Sequence, residues 1–285
     1  MRITRIVRAF VVGLGLLLIG SAGCGDDPVA NDAPITLDVF FSLTVDGTAL
    51  QLNSPIYTNP AGTVYSIKTL RFILSDIRLQ TDAGKSVLVK GVHYFDIADA
   101  STQTIHATNL VHANYTGVTF TFGLNAANNV RDKYKSSIPA IMEWPTGLGP
   151  NLGYHYLQLE GNFEQSPGGP TAGYTTHTGA RQLDGTNPDF PLVVDQDPHH
   201  FFFTISAPFT PQHIHEGGHG ELDINFNLNG WYMDHTPVDG NDTQYDFKTL
   251  PSQTIMGDLD AQGKLQSNGP GCFSAELTAH GGHDH

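Results

Sequence analysis

The fold is decided in the stretch from Tyr65 to Leu79, which reads YSIKTLRFILSDIRL. Its β-branched, aromatic and aliphatic residues predict one long strand, or two strands broken near Ser75 and Asp76. The turn sequence TDAGK at residues 81–85 comes next, followed by a short apolar run over residues 86–89. Together they predict a hairpin that begins in this stretch.

Similar patterns occur along the rest of the chain. Ile35, Leu37, Val39 and Phe41 alternate with the residues between them, which is the period of a strand with one buried face. The clearest helix candidate is Val130 to Ala140, which stops at Pro139. We therefore predict an all-β fold, a single-domain antiparallel β-sandwich with little helix. Further strands are predicted over residues 117–124, 154–163, 174–179, 200–206 and 222–228.

The N-terminus has the pattern of a bacterial lipoprotein signal. Three arginines precede an apolar run from Ala9 to Gly20, and Ser21-Ala22-Gly23-Cys24 follows it. The run is too short to span a bilayer, which needs about 20 residues. We predict a signal peptide over residues 1–23 and lipidation of Cys24, with ordinary secretion and cleavage nearby as the alternative.

These assignments set the domain boundaries and the location. Residues 24–33 are predicted to be a lipid anchor and flexible tether, residues 34–257 the β-sandwich, and residues 258–285 a Gly/His-rich C-terminal tail without a pattern for burial. The protein is expected to be secreted through the inner membrane and to reside in the periplasm or at the outer membrane. It would contact the membrane through its lipid anchor only.

The charge of the chain limits the classes of binding partner, and its cysteine content limits disulfide formation. The net charge is −14, and removal of the first 23 residues, which hold three arginines and no acid, leaves −17. We therefore expect no nucleic acid partner and no binding to anionic membrane surfaces. With Cys24 lipidated, Cys272 has no partner for an intramolecular disulfide.

Histidines are the clearest candidates for chemistry. Neutral imidazole is a ligand for copper and zinc, and five of the 14 histidines lie between Asp197 and Gly220. His213 and His215 have the spacing that places two ligands on one face of a strand. The alternative is a polar loop that binds metal only weakly. The candidates in this stretch are His199, His200, His213, His215 and His219.

Three further candidates lie on or beside predicted strands. His155 and His177 could be held rigidly as ligands, and His93 lies at a strand start; the alternative for each is a core or edge residue with satisfied hydrogen bonds. His199 and His200 are adjacent, so only one of the two can point inward. The tail histidines His280, His283 and His285 are either a metal-collecting tract or simply solvated.

Several sequence blocks resemble the MbnP-like family of periplasmic β-sandwich proteins. They are LRFILSDIRL (70–79), YTGVTFTFG (115–123), MEW (142–144) with GYHYLQLEG (153–161), and THTG (176–179). The resemblance, to a branch without the family's four-cysteine pattern, implies a secreted copper-binding protein first associated with methanobactin operons. It also implies a partner, a dihaem cytochrome of the peroxidase type. His177 falls on one block and His155 within another.

We therefore expect a lipid-anchored envelope protein that binds copper, or zinc, through histidines for storage, acquisition or delivery. The chain has no Gly-x-Ser-x-Gly, Walker, His-Glu-x-x-His or Cys-x-x-Cys motif, so we do not expect an enzyme. The alternative from another class is a surface β-sandwich that recognises a glycan or a protein and whose histidines are incidental. A third is a metalloenzyme with an open site.

Overall fold

Strands make up most of the computed structural model, which describes residues 33–54, 56–146, 152–181, 199–233, 244–250 and 253–281. The strands are β1 (Ile35–Val45), β2 (Thr48–Ala49), β3 (Tyr57–Thr58), β4 (Val64–Thr81), β5 (Ser86–Asp96), β6 (Thr104–Leu110), β7 (Ala113–Phe122), β8 (Leu157–Glu164), β9 (Thr171–Thr178), β10 (Ala180–Arg181), β11 (His199–His200), β12 (Phe203–Ile214), β13 (His219–Asn227) and β14 (Phe273–His280). Within these ranges there is one α-helix, α1 (Leu259–Asn268), and 3-10 turns occur at Ala100–Thr102, Ala140–Met142, Leu228–Tyr232 and Gly269–Cys272.

Some predicted features lie outside the described residues. These are the signal peptide, the lipidated Cys24, all of the tether except Ala33, and the tail residues His283 and His285. No helix in the described part of the chain is both long and apolar enough to cross a membrane. Cys272 is described and is a buried free thiol, and its burial raises its pKa.

The stretch from Tyr65 to Leu79 lies in β4, the central strand of the larger sheet. This sheet has the order β12-β7-β4-β8-β9, and β3 and β5 also pair with β4. The β4–β5 hairpin is confirmed, with Arg71 opposite Asp96 at its far end. β4 is a single strand with an irregularity between Ser75 and Arg78, where Asp76 has a φ of 52°. A bulge therefore accounts for the break that the sequence suggested near Ser75 and Asp76.

The second sheet has the order β14-β13-β1-β2, with β6 also paired to β1. β1 and β13 run parallel, from Thr36 opposite His219 to Thr44 opposite Asn227. This pair is the one exception to antiparallel pairing among the ladders between described strands. Polar side chains reinforce it, since Asp223 accepts hydrogen bonds from the Ser42 amide at 3.1 Å and from the Ser42 hydroxyl at 2.8 Å.

An aromatic core joins the two sheets. The Phe226 ring of β13 packs against Phe72 of β4 and Phe122 of β7, with centroid distances of 5.6 and 6.0 Å. Leu222, Ile224 and Phe226 are all buried, as the alternation in β13 predicted. The all-β sandwich with little helix is confirmed, and burial of apolar side chains between the sheets is its main source of stability.

The helix predicted for Val130 to Ala140 is wrong. The segment consists of turns and ends in the 3-10 turn Ala140–Met142. Asp132 has a φ of 63°, which a regular helix does not allow. Local turn bonds such as Lys133 N–H to the Val130 carbonyl at 3.2 Å remain, and the amide of Tyr134 donates instead to the Tyr154 hydroxyl at 2.9 Å.

The expectation that residues from 258 onward lack a pattern for burial is also wrong. Asp258 caps α1 by accepting a hydrogen bond from the Ala261 amide at 3.0 Å, and Leu265 of α1 is fully buried. β14 then pairs with β13, although Leu277 is its one buried hydrophobic residue. The strand also has an alternating pattern of its own, because Phe273, Ala275 and Ala279 pack against the core together with Leu277.

Candidate metal centre

Two of the predicted ligands, His155 and His177, lie in contact. Their rings meet edge to face, with centroids 5.1 Å apart and an interplanar angle of 90°. His177 lies in β9 opposite Gln158 of β8, and His155 lies two residues before β8. Both are buried, with 5% and 9% of their surfaces exposed. The structure therefore forms a buried imidazole pair, which we call the histidine pair.

The 3-10 turn Ala140–Met142 holds His155 in place. The Met142 carbonyl accepts the His155 backbone amide at 2.7 Å and lies 3.2 Å from the ring Nδ1. Because a carbonyl can only accept, Nδ1 carries the proton and Nε2 carries the lone pair. Trp144 packs edge-on against the His155 ring at a centroid distance of 4.6 Å.

Glu160 holds His177. Its carboxylate Oε1 lies 2.9 Å from His177 Nε2, and this hydrogen bond is the main reason that the pKa of Glu160 is lowered. An ionised carboxylate only accepts, so Nε2 carries the proton and, in the neutral ring, Nδ1 carries the lone pair. A carboxylate that orients a histidine in this way is the usual outer partner of a metal-binding imidazole.

Each ring of the pair thus has one nitrogen that is not used. His155 Nε2 and His177 Nδ1 are buried and have no hydrogen-bond partner in the structure. Such atoms are rare, because leaving a buried polar atom unpaired costs about 1–3 kcal/mol. Burial, with the neighbouring His177, lowers the pKa of His155 to about 3, so that its ring is neutral near pH 7. Two buried imidazole nitrogens without hydrogen-bond partners, on rings in contact, fit copper or zinc.

The pair provides two donors rather than a complete cage. Among the described residues, no three His, Cys, Asp or Glu side chains are placed to hold one metal ion together. A bound ion would therefore keep coordination positions for a further ligand.

His93 makes structural contacts with neighbouring residues. Its Nε2 donates to the Thr102 carbonyl at 2.9 Å, and its ring stacks on Phe41 with centroids 5.4 Å apart. Burial lowers its pKa to about 4. These contacts correspond to the alternative that the sequence left open, a histidine with satisfied hydrogen bonds.

His199 and His200 differ in exposure, as expected for neighbours on a strand. His199 is exposed and packs against Phe201 at a centroid distance of 4.5 Å. His200 is half-buried, and its Nδ1 lies 2.9 Å from the Tyr156 hydroxyl. Among the described residues, neither belongs to a group of three side chains that could hold one metal ion.

The remaining candidates lie at the ends of β12 and β13. His213 and His215 have ring centroids 4.3 Å apart. His219 lies 2.9 Å from the Thr36 hydroxyl through Nδ1, and its ring is near that of His280, with centroids 6.2 Å apart. The five histidines between Asp197 and Gly220 therefore do not form one cluster.

Sequence reasoning missed Glu160 and Met142 as groups that orient the pair. The signal for Glu160 was available, since the predicted strand placed Gln158 and Glu160 on one face. The signal for the Met142 carbonyl was not, because any residue provides a carbonyl and only the turn places this one against His155.

Comparison with known proteins gives a family and a fold. The sequence model of the MbnP family matches residues 34–256. The solved structure of MbnP from Methylosinus trichosporium is similar, with a TM-score of 0.53 and 14% sequence identity; the match covers 86% of this chain and 99% of that one. At this identity the likeness supports the fold alone. No curated protein matches the chain.

Proposed function

The chain belongs to the MbnP family, and on this premise we propose that it binds copper at the histidine pair, His155 and His177. The observation that carries the proposal is the pair of buried ring nitrogens, His155 Nε2 and His177 Nδ1, that lack hydrogen-bond partners. A copper ion bound to both nitrogens would satisfy them. Zinc is the alternative ion, because imidazole suits both metals.

The residues around the histidine pair support binding of an ion by the pair. The Met142 carbonyl and the Glu160 carboxylate keep the protons on His155 Nδ1 and His177 Nε2, which leaves the other nitrogen of each ring for the proposed ion. Trp144 is 1% exposed and packs on His155, which keeps water from that side of the ring. When bound, the ion would supply a centre able to accept a further ligand.

We propose binding, for storage, acquisition or delivery, rather than catalysis. The groups in contact with the pair are a main-chain carbonyl, an orienting carboxylate and an indole ring. The carboxylate is already engaged by His177, so it is not positioned as a general base for a substrate.

The location and the partner belong to the same proposal. The N-terminal pattern supports secretion and lipidation at Cys24, and hence a place in the periplasm or at the outer membrane. The resemblance to the MbnP-like family supports a dihaem cytochrome of the peroxidase type as partner. Radiolabelled lipid incorporation into the wild type but not into Cys24→Ala would test the anchor.

A chelator competition tests the copper site. Purified protein is titrated with Cu⁺ under reducing conditions against a Cu⁺-selective colorimetric chelator. We expect the wild type to withhold one equivalent from the chelator, and the variants His155→Ala and His177→Ala to withhold none. His106→Ala is the matched control, because His106 is exposed and its partner is Asp38.

The proposal fails if the wild type withholds no copper. It also fails if a double variant, His155→Ala/His177→Ala, withholds as much copper as the wild type. Circular dichroism of each variant separates loss of the site from loss of the fold.

A further inference from the structure

The C-terminal end of β12 carries a second pair of histidines on the protein surface. His213 and His215 are separated by Ile214, which is fully buried. His213 is the second-last residue of β12, so alternation around the buried Ile214 points it outward, and His215 directly follows the end of the strand. His213 is exposed and His215 is half-buried. Their ring centroids lie 4.3 Å apart with an angle of 57° between the planes.

Hydrogen bonds determine which nitrogen of His213 is available. The amide nitrogen of Asn114 donates to the Asp82 carboxylate at 3.0 Å, so the other end of this amide is its oxygen. That oxygen lies 2.9 Å from His213 Nδ1 and can only accept. The proton of the neutral ring is therefore on Nδ1, and the lone pair is on Nε2.

This chain of contacts has the form of a metal ligand with its outer partners. Metal-binding histidines usually donate their other ring N–H to an oxygen acceptor, which fixes the tautomer and raises the basicity of the ring. Here the acceptor is Asn114, and the Asp82 carboxylate holds Asn114 in turn.

Strand pairing holds the arrangement in place. His213 lies directly opposite Asn114 in the β12–β7 ladder, and the Asp82 amide donates to the Asn114 carbonyl at 3.0 Å. Asn114 is thus bound through both its main chain and its side chain. The ligand and the groups that orient it therefore lie on paired strands and on the adjoining hairpin turn, rather than on a free loop.

We propose that His213 and His215 form a second metal site, open to solvent, for a borderline divalent cation such as Zn²⁺, Cu²⁺ or Ni²⁺. Two imidazoles whose rings are in contact at the end of a strand supply two donors, and water completes the coordination. The site is independent of the copper proposal, because it shares no residue with the histidine pair. The high net negative charge of the chain, −14, favours the approach of cations.

The test is a Zn²⁺ titration of the full secreted chain by calorimetry at pH 7. We expect His213→Ala/His215→Ala to lose one Zn²⁺ equivalent, and each single variant to bind that equivalent at least tenfold more weakly. Asn114→Ala should weaken it about 10-fold through loss of the orienting contact. His106→Ala is the control and should leave this equivalent unchanged.

Two outcomes overturn the proposal. The first is an unchanged Zn²⁺ stoichiometry and affinity in His213→Ala/His215→Ala. The second is loss of the equivalent in a His283→Ala/His285→Ala variant but not in His213→Ala/His215→Ala, which would assign binding to the C-terminal histidines. The Cu⁺ competition separates the two proposals, since His213→Ala/His215→Ala should still withhold one Cu⁺ equivalent if the histidine pair is the copper site.

Discussion

His177 and Glu160 lie on neighbouring strands, and the ring Nε2 of the histidine is 2.9 Å from the carboxylate of the glutamate. Glu160 is opposite Thr175, whereas His177 is opposite Gln158, so the two side chains meet diagonally across the β8–β9 ladder. This contact decides the tautomer of His177 and leaves its Nδ1 for the proposed ion. The role of Glu160 can therefore be measured through the affinity for copper.

Glu160→Ala should weaken Cu⁺ binding about 10- to 100-fold, which is the usual effect of removing an outer partner of a ligand histidine. Glu160→Gln should restore part of the affinity, because its amide oxygen can still accept from Nε2. The measurement is the chelator competition, with the exposed Glu276→Ala as the control. Equal affinities for the wild type and Glu160→Ala would contradict the orienting role.

Half-buried His93 should make stability depend on pH. Burial lowers its pKa from 6.5 to about 4, so between these values the unfolded chain binds a proton that the folded chain does not. The free energy of unfolding should therefore be unaffected by His93 above pH 6.5 and should fall as the pH drops towards 4. Between these two pH values, the change in the free energy of unfolding due to this residue approaches about 1.4 kcal/mol per pH unit.

His93→Gln removes the titrating ring and keeps an N–H donor for the Thr102 carbonyl. Urea denaturation at pH 7, 6 and 5 should give a shallower loss of stability for this variant than for the wild type. The pKa of His155 is also lowered, to about 3, so the free energy of unfolding still falls with decreasing pH in both proteins. Identical slopes would show that His93 is not buried in its neutral form.

Gly161 is required where β4 and β8 approach closely. A Cβ at this position would lie 1.8 Å from the Ser66 carbonyl oxygen. Gly161→Ala should therefore destabilise the fold by about 1–3 kcal/mol or more, as overpacking does. Gly173 on β9 is the matched control, because the nearest atom to a Cβ there is 3.8 Å away. In thermal melts, Gly161→Ala should have a clearly lower melting temperature than Gly173→Ala. Equal melting temperatures would contradict the β4–β8 register.

Gly263 lies inside α1, and a Cβ there would meet nothing within 4 Å. Gly263→Ala should therefore stabilise the protein by about 0.5–1 kcal/mol, because alanine favours a helix interior over glycine. Gly269→Ala should do the opposite, since its Cβ would lie 2.0 Å from the Phe203 ring. Chemical denaturation measures both effects. If Gly263→Ala does not stabilise the protein, residues 259–268 are not helical in solution.

The sequence predicts those elements whose own side chains encode them. β13 was found because its apolar residues recur with the period of a strand, and β4 because β-branched, aromatic and aliphatic residues dominate it. β14 is an exception, because Phe273, Ala275, Leu277 and Ala279 alternate with polar residues and pack on the core, yet the segment was assigned to a Gly/His-rich tail. The helical pattern at Val130 to Ala140 was misleading, because the Tyr154 hydroxyl captures an amide within it.

For the candidate site, the sequence identified His155 and His177 but not their contact. Their convergence depends on the β8–β9 register and on the turn at Met142, and residue spacing alone determines neither. The histidines between Asp197 and Gly220 lie at different places in the fold: the rings of His213 and His215 are 4.3 Å apart, whereas His219 contacts Thr36 and His200 contacts Tyr156.

The parallel pairing of β1 with β13 has a consequence for biosynthesis. Ser42 and Asp223, which bind each other across this pair, are separated by 181 residues. β1, the first of the described strands, must therefore wait until residues 219–227 are synthesised before its long parallel partner exists. Contacts between such distant positions slow folding, since a large loop has to close before they form. We therefore expect a nascent chain that ends before residue 219 to leave one edge of β1 open to chaperones.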